Sequence, residues 1–265
     1  MMQHTRRNHA VAVAGVVAIA GALSACGTQN GTRADEAVPG GAAAPGTAGA
    51  AARAEGGMNE LTTQERQDGW RLLFDGTTTA GWRGYGRSDM PAGWQAQDGL
   101  LVRVAQAGDI VTTEQFESFE LALDWRVGPG GNSGVLFRVV ESDDPIYYSG
   151  PEVQILDDAG HADGGAPLTS AGSNYALHPA PRGVVRPAGE WNSARLLVNG
   201  THVEHWLNGR KIVEYELGSD DWKQRVASSK FSAWPAYGQA ARGHIGLQDH
   251  GDRVEFRNIR VRVLP

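Results

Sequence analysis

From Leu61 to the C-terminus, apolar and polar residues alternate in short runs, and turn residues close each run after a few positions. Phe119, Leu121, Leu123, Trp125 and Val127 alternate with Glu120, Ala122, Asp124 and Arg126. Side chains on a strand point to opposite faces in turn, so this run is a strand with one buried and one polar face. Asn199-Gly200 and Asn208-Gly209 each divide two such runs. Asn-Gly accepts the positive φ angles of a tight hairpin, which predicts a three-stranded meander over residues 191–215. The last run changes phase: Val254 and Phe256 are even, while Ile259, Val261 and Val263 are odd. A bulge near Arg257-Asn258 accounts for the slip. One later helix is expected over residues 220–229, and Thr62 with Glu65 predicts a capping box on a short turn before Trp70. With 36 glycines and all eight tryptophans at or after position 70, the pattern predicts an all-β, two-sheet jelly-roll sandwich.

The N-terminal segment reads differently. Arg6 and Arg7 precede an apolar run from Val11 to Leu23, which ends in Leu23-Ser24-Ala25-Cys26. The run is short for a bilayer span and fits a secretory signal. A small residue before Cys resembles a bacterial lipoprotein box, and Cys26 is the only cysteine in the chain. The expectation is a signal peptide over 1–25, lipidation at Cys26 and a lipid anchor in the cell envelope, at the periplasmic or cell-surface side. Residues 26–57 are rich in Ala, Gly and Pro without apolar periodicity, so they read as a disordered tether. The domain then spans 58–265. With a single cysteine no intramolecular disulfide forms, and stability rests on core packing.

The formal net charge of −6 argues against a sequence-independent grip on nucleic acid. No Gly-x-Gly-x-x-Gly stands between a strand and a helix, and no His-Glu-x-x-His occurs. Gly131-Asn132-Ser133-Gly134 is not a nucleophile elbow, because Val135 replaces the second Gly. Polar groups on strands remain. In Asn132–Arg138, a regular strand places Gly134, Leu136 and Arg138 on one face. In Glu152–Asp157, Glu152 and Gln154 share a face, and Asp157 falls on the other. That makes Glu152 and Asp157 a poor pair for two-carboxylate glycoside hydrolysis. His202 and His205 fall on opposite faces, so a shared metal is not expected. His244, Gln248 and His250 share a face, and Asp249 is placed to orient a neighbouring ring. The acidic, Gly-rich segment 157–164 fails the EF-hand spacing and reads as a solvated loop.

Together these stretches resemble the bacterial 3-keto-disaccharide hydrolase domain family, once a domain of unknown function. The matching residues are Leu73-Phe74-Asp75-Gly76, Gly131-Asn132-Ser133-Gly134, Phe137-Arg138, Glu152-Val153-Gln154-Ile155-Leu156-Asp157 and Pro187-Ala188-Gly189-Glu190-Trp191-Asn192. They continue through His205-Trp206-Leu207-Asn208-Gly209, Gly246-Leu247-Gln248-Asp249-His250-Gly251 and Phe256-Arg257-Asn258-Ile259. The resemblance implies a concanavalin-A-like jelly roll of the lectin/glucanase type and cleavage of glycosides whose sugar is oxidised at C3. Members are commonly exported, often as lipoproteins.

A ketone at C3 acidifies the hydrogen at C2, so the expected chemistry is proton abstraction and β-elimination, with or without later rehydration. The site then needs a base, an acid and a group that stabilises the enolate oxygen. Glu152 and His250 are the proton-transfer candidates. Arg138, or a divalent cation such as calcium, is the candidate for the oxyanion, and no cofactor is certain. Asn132, Gln154, His205, Gln248 and Asp249 are candidate substrate-binding residues. Tyr175, Trp191 and Trp206 are candidate stacking platforms. Residues 219–237 read as an insertion or lid that governs the aglycone side. The partners implied are the oxidised glycoside and a separate sugar 3-dehydrogenase upstream. The alternative is a non-catalytic carbohydrate-binding jelly roll on the cell envelope, and a third reading is an envelope scaffold.

Overall fold

The computed structural model describes residues 57–265. The predicted signal segment, Cys26 and nearly all of the tether lie outside the described residues. A short helix α1 (Thr63–Gln67) opens the chain, followed by β1 (Arg71–Leu72), β2 (Trp82–Gly84), β3 (Trp94–Gln97) and β4 (Leu100–Arg103). The longer strands β5 (Ile110–Phe116), β6 (Phe119–Val127), β7 (Asn132–Val139) and β8 (Glu152–Leu156) come next. After a loop come β9 (Asn192–Asn199), β10 (His202–Leu207), β11 (Arg210–Glu216) and the helix α2 (Asp220–Ala227). The chain ends with β12 (Gly243–Leu247) and β13 (Val254–Val263). α1 carries the expected capping box, with the Glu65 N–H donating to Thr62 Oγ1 and the Thr62 N–H to the Glu65 carboxylate.

The strands form two antiparallel sheets, the predicted two-sheet jelly-roll sandwich. One runs β11-β10-β9-β6-β13-β4-β3, with β1 paired to β13; the other runs β2-β5-β12-β7-β8. Inward residues of the larger sheet, among them Leu121, Leu123, Trp125, Leu196, Phe256 and Val261, are at most 3% exposed. They meet Val135, Phe137, Ile155, Ile245 and Leu247 of the smaller sheet in one apolar cluster. Each such side chain contributes about 1.5–3 kcal/mol on burial.

Turn chemistry sets the register. Asn208 and Gly209 join β10 to β11 with φ of 50° and 81°, the double positive of a type I′ turn. The Asn208 amide also donates to the Val184 carbonyl and to Asn192 Oδ1, both at 2.8 Å. The β9–β10 turn falls one residue later than the Asn-Gly spacing predicts. Asn199 stays in the strand opposite His202, and Gly200 takes φ 58°. The β13 bulge stands where the phase change places it. Asn258 takes φ 57°, and two residues oppose one between Arg257 and Arg260.

A second bulge was not legible in the sequence. Leu136 pairs with Gly246 and Val139 with His244, so Phe137 and Arg138 together oppose Ile245. Arg138 takes φ 52°. The extra residue breaks the period of two, and Arg138 leaves the face that Gly134 and Leu136 share. Its Nη2 instead donates to the carbonyls of Glu117 and Gly200, the latter in the β9–β10 turn of the opposite sheet.

Candidate functional site

The face of the smaller sheet turned away from the core carries the polar residues. Its floor is made by β7, β8 and β12. Register sets Gln154 beside Gly134 and Glu152 beside Leu136, with Gly246 on the far side of Leu136. Two glycines make room here. A Cβ on Gly134 would lie 2.1 Å from Glu152 Oε1, so the Glu152 carboxyl occupies the space that a side chain at 134 would take. A Cβ on Gly246 would meet Ile146 at 2.6 Å. Ile146 belongs to a 3₁₀ turn, Ile146–Tyr148, which packs with Tyr147 over Val111, Leu136 and Val139.

Glu152 is buried, and burial pushes its carboxyl up to about 8. The positive charge of Lys230 pulls it down, while Asp109 and Asp163 add to the rise. With its NH₂ turned toward acceptors, Gln154 donates to Glu152 Oε1 at 3.2 Å and to the Ser133 carbonyl at 3.3 Å. A carboxylic acid accepting on one oxygen carries its proton on the other, so Oε2 is the donor atom of Glu152. Asp109 precedes β5 and accepts the Asp249 N–H at 2.8 Å; burial pushes it up to about 6.

Asn132 and Gln248 continue the face toward the end of β8. Asn132 is 3% exposed, its Nδ2 stands 3.5 Å from His161 Nε2, and its Oδ1 is buried without a partner. His161 accepts the Asp163 N–H on Nδ1 at 3.1 Å. The ring of His250 lies edge-on to that of His161, with centroids 6.2 Å apart, and His250 is exposed. Gln248 binds Gly134 and Ser133 through its backbone, which fixes it beside β7. Tyr175 flanks the edge of β8: its N–H donates to the Glu152 carbonyl at 3.0 Å and its hydroxyl to Asp163 Oδ2 at 3.3 Å. Burial pushes the Tyr175 phenol up to about 12.

Five residues singled out from the sequence stand elsewhere. Arg138 spans the sheets on two backbone carbonyls, so it does not offer its charge to an oxyanion on this face. His205 is fully buried, with Nδ1 at 2.9 Å from the Gly172 carbonyl and Nε2 at 3.2 Å from the Tyr215 hydroxyl. Burial lowers it to about 4, the mark of a neutral core histidine rather than a hydroxyl ligand. Asp249 accepts the N–H groups of Ala107, Gly108 and Gly251 and pairs with Arg103 at 2.7 Å. It staples the β12–β13 loop and has no lone pair to spare for a sugar. Trp191 lies under the guanidinium groups of Arg126 and Arg257, at 4.6 and 4.0 Å, on the outer face of the larger sheet. Trp206 lies under Arg195 at 4.1 Å on the same sheet. Both tryptophans are engaged by arginine on the larger sheet, away from the face that carries Glu152.

The sequence reading missed Asp109 and Tyr147. Asp109 sits in an unpatterned loop, and Tyr147 adjoins a polar one. Asp163 and Lys230 lay inside segments flagged for other reasons. Among the described residues, His202, Glu204 and Glu214 are the one His/carboxylate group whose ligand atoms lie within 4.8 Å of one another. They sit on β10 and β11, in the other sheet, where the Lys211 ammonium bonds Glu204 at 3.1 Å and Glu214 at 2.7 Å. In the acidic loop, Asp157 accepts the N–H groups of Gly130 and Ala159, and Asp158 that of Ala171, so both serve the loop's own backbone.

The chain as a whole has counterparts in known proteins. Residues 69–262 match the family described as the 3-keto-alpha-glucoside-1,2-lyase-like domain. A 3-keto-disaccharide hydrolase of Bacteroides thetaiotaomicron is 36% identical over 239 residues, covering 78% of this chain and 82% of that protein. A crystal structure of a candidate glycosyl hydrolase from Parabacteroides distasonis superposes with a TM-score of 0.73 at 37% identity, over 79% of this chain and 100% of that one. A second such structure from the same organism gives a TM-score of 0.61 at 31% identity, over 74% and 99%.

Proposed function

The chain belongs to the 3-keto-alpha-glucoside-1,2-lyase-like domain family and is a glycoside-cleaving enzyme, and from that premise we propose that it cleaves 3-keto-glycosides with His250 as the base and Glu152 as the acid. The observation that carries this reading is the Glu152 carboxyl, buried over Gly134 and held up to about 8. At neutral pH it is a carboxylic acid with its proton on Oε2, the form that can protonate a departing oxygen.

The ketone at C3 makes the C2–H bond the weak point of the sugar. His250, exposed at the mouth of the face, takes the C2 proton on a ring nitrogen. The electron pair of that bond becomes the C1=C2 double bond as the C1–O bond breaks. Glu152 passes its proton to the oxygen that leaves with the aglycone. The products are an unsaturated 3-keto sugar and an alcohol, and water adding back across the double bond makes the net reaction a hydrolysis. Negative charge grows on the C3 oxygen during proton abstraction. The NH₂ groups of Asn132 and Gln248 meet it, since Gln154 gives both its N–H groups to Glu152 and Ser133 and Arg138 is bound elsewhere.

The substrate must be supplied by a separate sugar 3-dehydrogenase, because oxidation at C3 needs a hydride acceptor and the sequence carries no dinucleotide fingerprint. Export and lipid anchoring at Cys26 place the enzyme in the cell envelope within this reading.

The test is turnover of the purified protein on 3-keto-glucosides beside their unoxidised parents, followed by mass spectrometry and NMR. Cleavage of the keto sugars alone is expected, with an unsaturated product before any hydrate. A chelator arm reads whether a divalent ion shares the oxyanion task. Undiminished turnover in both Glu152→Gln and His250→Ala would remove the proposed site. Binding of unmodified glycans with no cleavage of any sugar would point to a carbohydrate-binding module instead.

A further inference from the structure

The chain has three lysines. Lys211 pairs with Glu204 and Glu214, and Lys223 lies 3.6 Å from Asp220. Lys230 makes no ion pair among the described residues, although the surrounding face holds Glu152, Asp109 and Asp163. Its position is set by aromatic rings. The ammonium stands 4.4 Å from the ring centre of Tyr175, 5.8 Å from that of Tyr147 and 5.4 Å from that of Phe231. These are cation–π distances. Tyr175 is bonded to the Glu152 backbone, and Tyr147 packs over Leu136, the neighbour of Glu152 across the strand pair. The cation therefore stands at the Glu152 end of the face, while His250 and His161 stand toward the other.

The mount beneath Lys230 is rigid. It begins a 3₁₀ turn, Lys230–Ala233, capped by Ser229. Phe231 is 2% exposed and stacks on Tyr237 at 3.9 Å, and Tyr237 in turn stacks on Trp222. Trp234 stacks on Tyr148 at 4.0 Å and lies 5.5 Å from Tyr147. The spare charge thus adjoins a group of half-buried ring systems.

Two tasks suit such a charge: neutralising Glu152, or binding an anion brought by the ligand. The first is poorly served. Glu152 stays at about 8 with Lys230 already in place, so the lysine does not hold it ionised. The second needs no further change. In the elimination scheme Glu152 protonates the departing oxygen, so the leaving group extends past Glu152 toward Lys230 and Tyr147.

We propose that Lys230, set among Tyr147 and Tyr175, forms a leaving-group subsite that selects 3-keto-glycosides whose leaving group carries a carboxylate. This rests on the elimination reading above. Asp109 and Asp163 stand on the same face, so the unpaired Lys230 charge also fixes which way round such a substrate binds. The carboxylate can sit on an aryl ring or on a uronic acid, and the neighbouring rings favour the aryl form.

The full chain and its Lys230→Met and Lys230→Arg variants are assayed on the 3-keto-glucosides of 4-hydroxybenzoate, of its methyl ester and of glucuronic acid. The ratio of kcat/KM for acid over ester is taken within each protein. Comparing that ratio between proteins cancels the intrinsic reactivity of the two leaving groups. The ratio is expected to fall about tenfold in Lys230→Met, as for loss of a charge-assisted contact. It should be largely kept in Lys230→Arg and shrink with added salt. Cleavage of the glucuronic acid conjugate that is lost in parallel assigns the subsite to carboxylates generally; loss confined to the benzoate assigns it to aryl acids. An unchanged ratio, or an equal loss on acid and ester, overturns the proposal. If no keto sugar is cleaved, the elimination reading fails. The subsite is then judged separately, from the Kd of the same acid and ester measured by NMR titration in wild type and Lys230→Met, where an equal Kd ratio overturns it.

Discussion

The Glu152 carboxyl is placed by an absence at position 134. In Gly134→Ala the new methyl group falls on Oε1, and the flexible carboxyl must yield rather than the backbone. A misplacement of about 1 Å can cost on the order of 100-fold in rate. We expect kcat of that order below wild type, with a melting temperature near the parent's. Retained kcat in Gly134→Ala would show that the carboxyl position does not matter. The pH dependence has a definite sign. Activity needs the protonated acid, so kcat should fall as pH rises through about 8. Glu152→Gln should lower kcat about 10²–10⁴-fold and abolish that limb. Stability follows the same group. Its folded pKa lies above the unfolded value of 4.5, so between about pH 4.5 and 8 the native state holds the extra proton. Wild-type stability therefore declines as pH rises through that window, by on the order of a few kcal/mol, and Glu152→Gln should lose this dependence. Urea titrations at pH 5 and pH 9 on both proteins measure it. A wild-type profile parallel to that of the variant would contradict the raised acid.

Among the elements, the β12–β13 loop has the clearest structural determinant. Asp249 accepts three backbone N–H groups and faces the buried guanidinium of Arg103, which also donates to the Gly251 carbonyl. Removing the carboxylate leaves a buried cation without its counter-ion. Asp249→Ala should cost about 3–5 kcal/mol in urea denaturation. It should also lower turnover, because Gln248 and His250 flank the staple. A loss below 1 kcal/mol would mean that the loop is held by other contacts. The bulge at Phe137-Arg138 acts on the same scale. By strict alternation Arg138 belongs to the groove face; one inserted residue turns it to the opposite sheet and removes the expected oxyanion group. His205 shows a related limit, since alternation correctly puts it on the inner face of β10 yet does not say whether that face meets sugar or core.

For the molecule as a whole, the proposal to test is a lipid anchor at Cys26. Metabolic labelling with an acyl-chain analogue should mark the wild-type protein and spare Cys26→Ser; equal labelling of both would remove the anchor. The two-sheet architecture was determined by the sequence itself, because alternation, Asn-Gly turns and glycine spacing act over a few residues and need no partner to be read. The β13 bulge was legible for the same reason, as a phase change within one run. The polar strand faces were likewise local: Glu152, Gln154, Asn132 and Gln248 each follow from the period of two. What the tertiary structure alone decided is which faces look outward together. The desolvation of Glu152 comes from the stacking of Ile146 and Tyr147 on its sheet and from Tyr175 at its edge, segments that no spacing ties to position 152. The assignment of Trp191 and Trp206 to arginine clamps depends on strand order in the larger sheet. Pairing between distant strands is a property of the assembled sandwich, and burial, charge and acidity at the site are consequences of it.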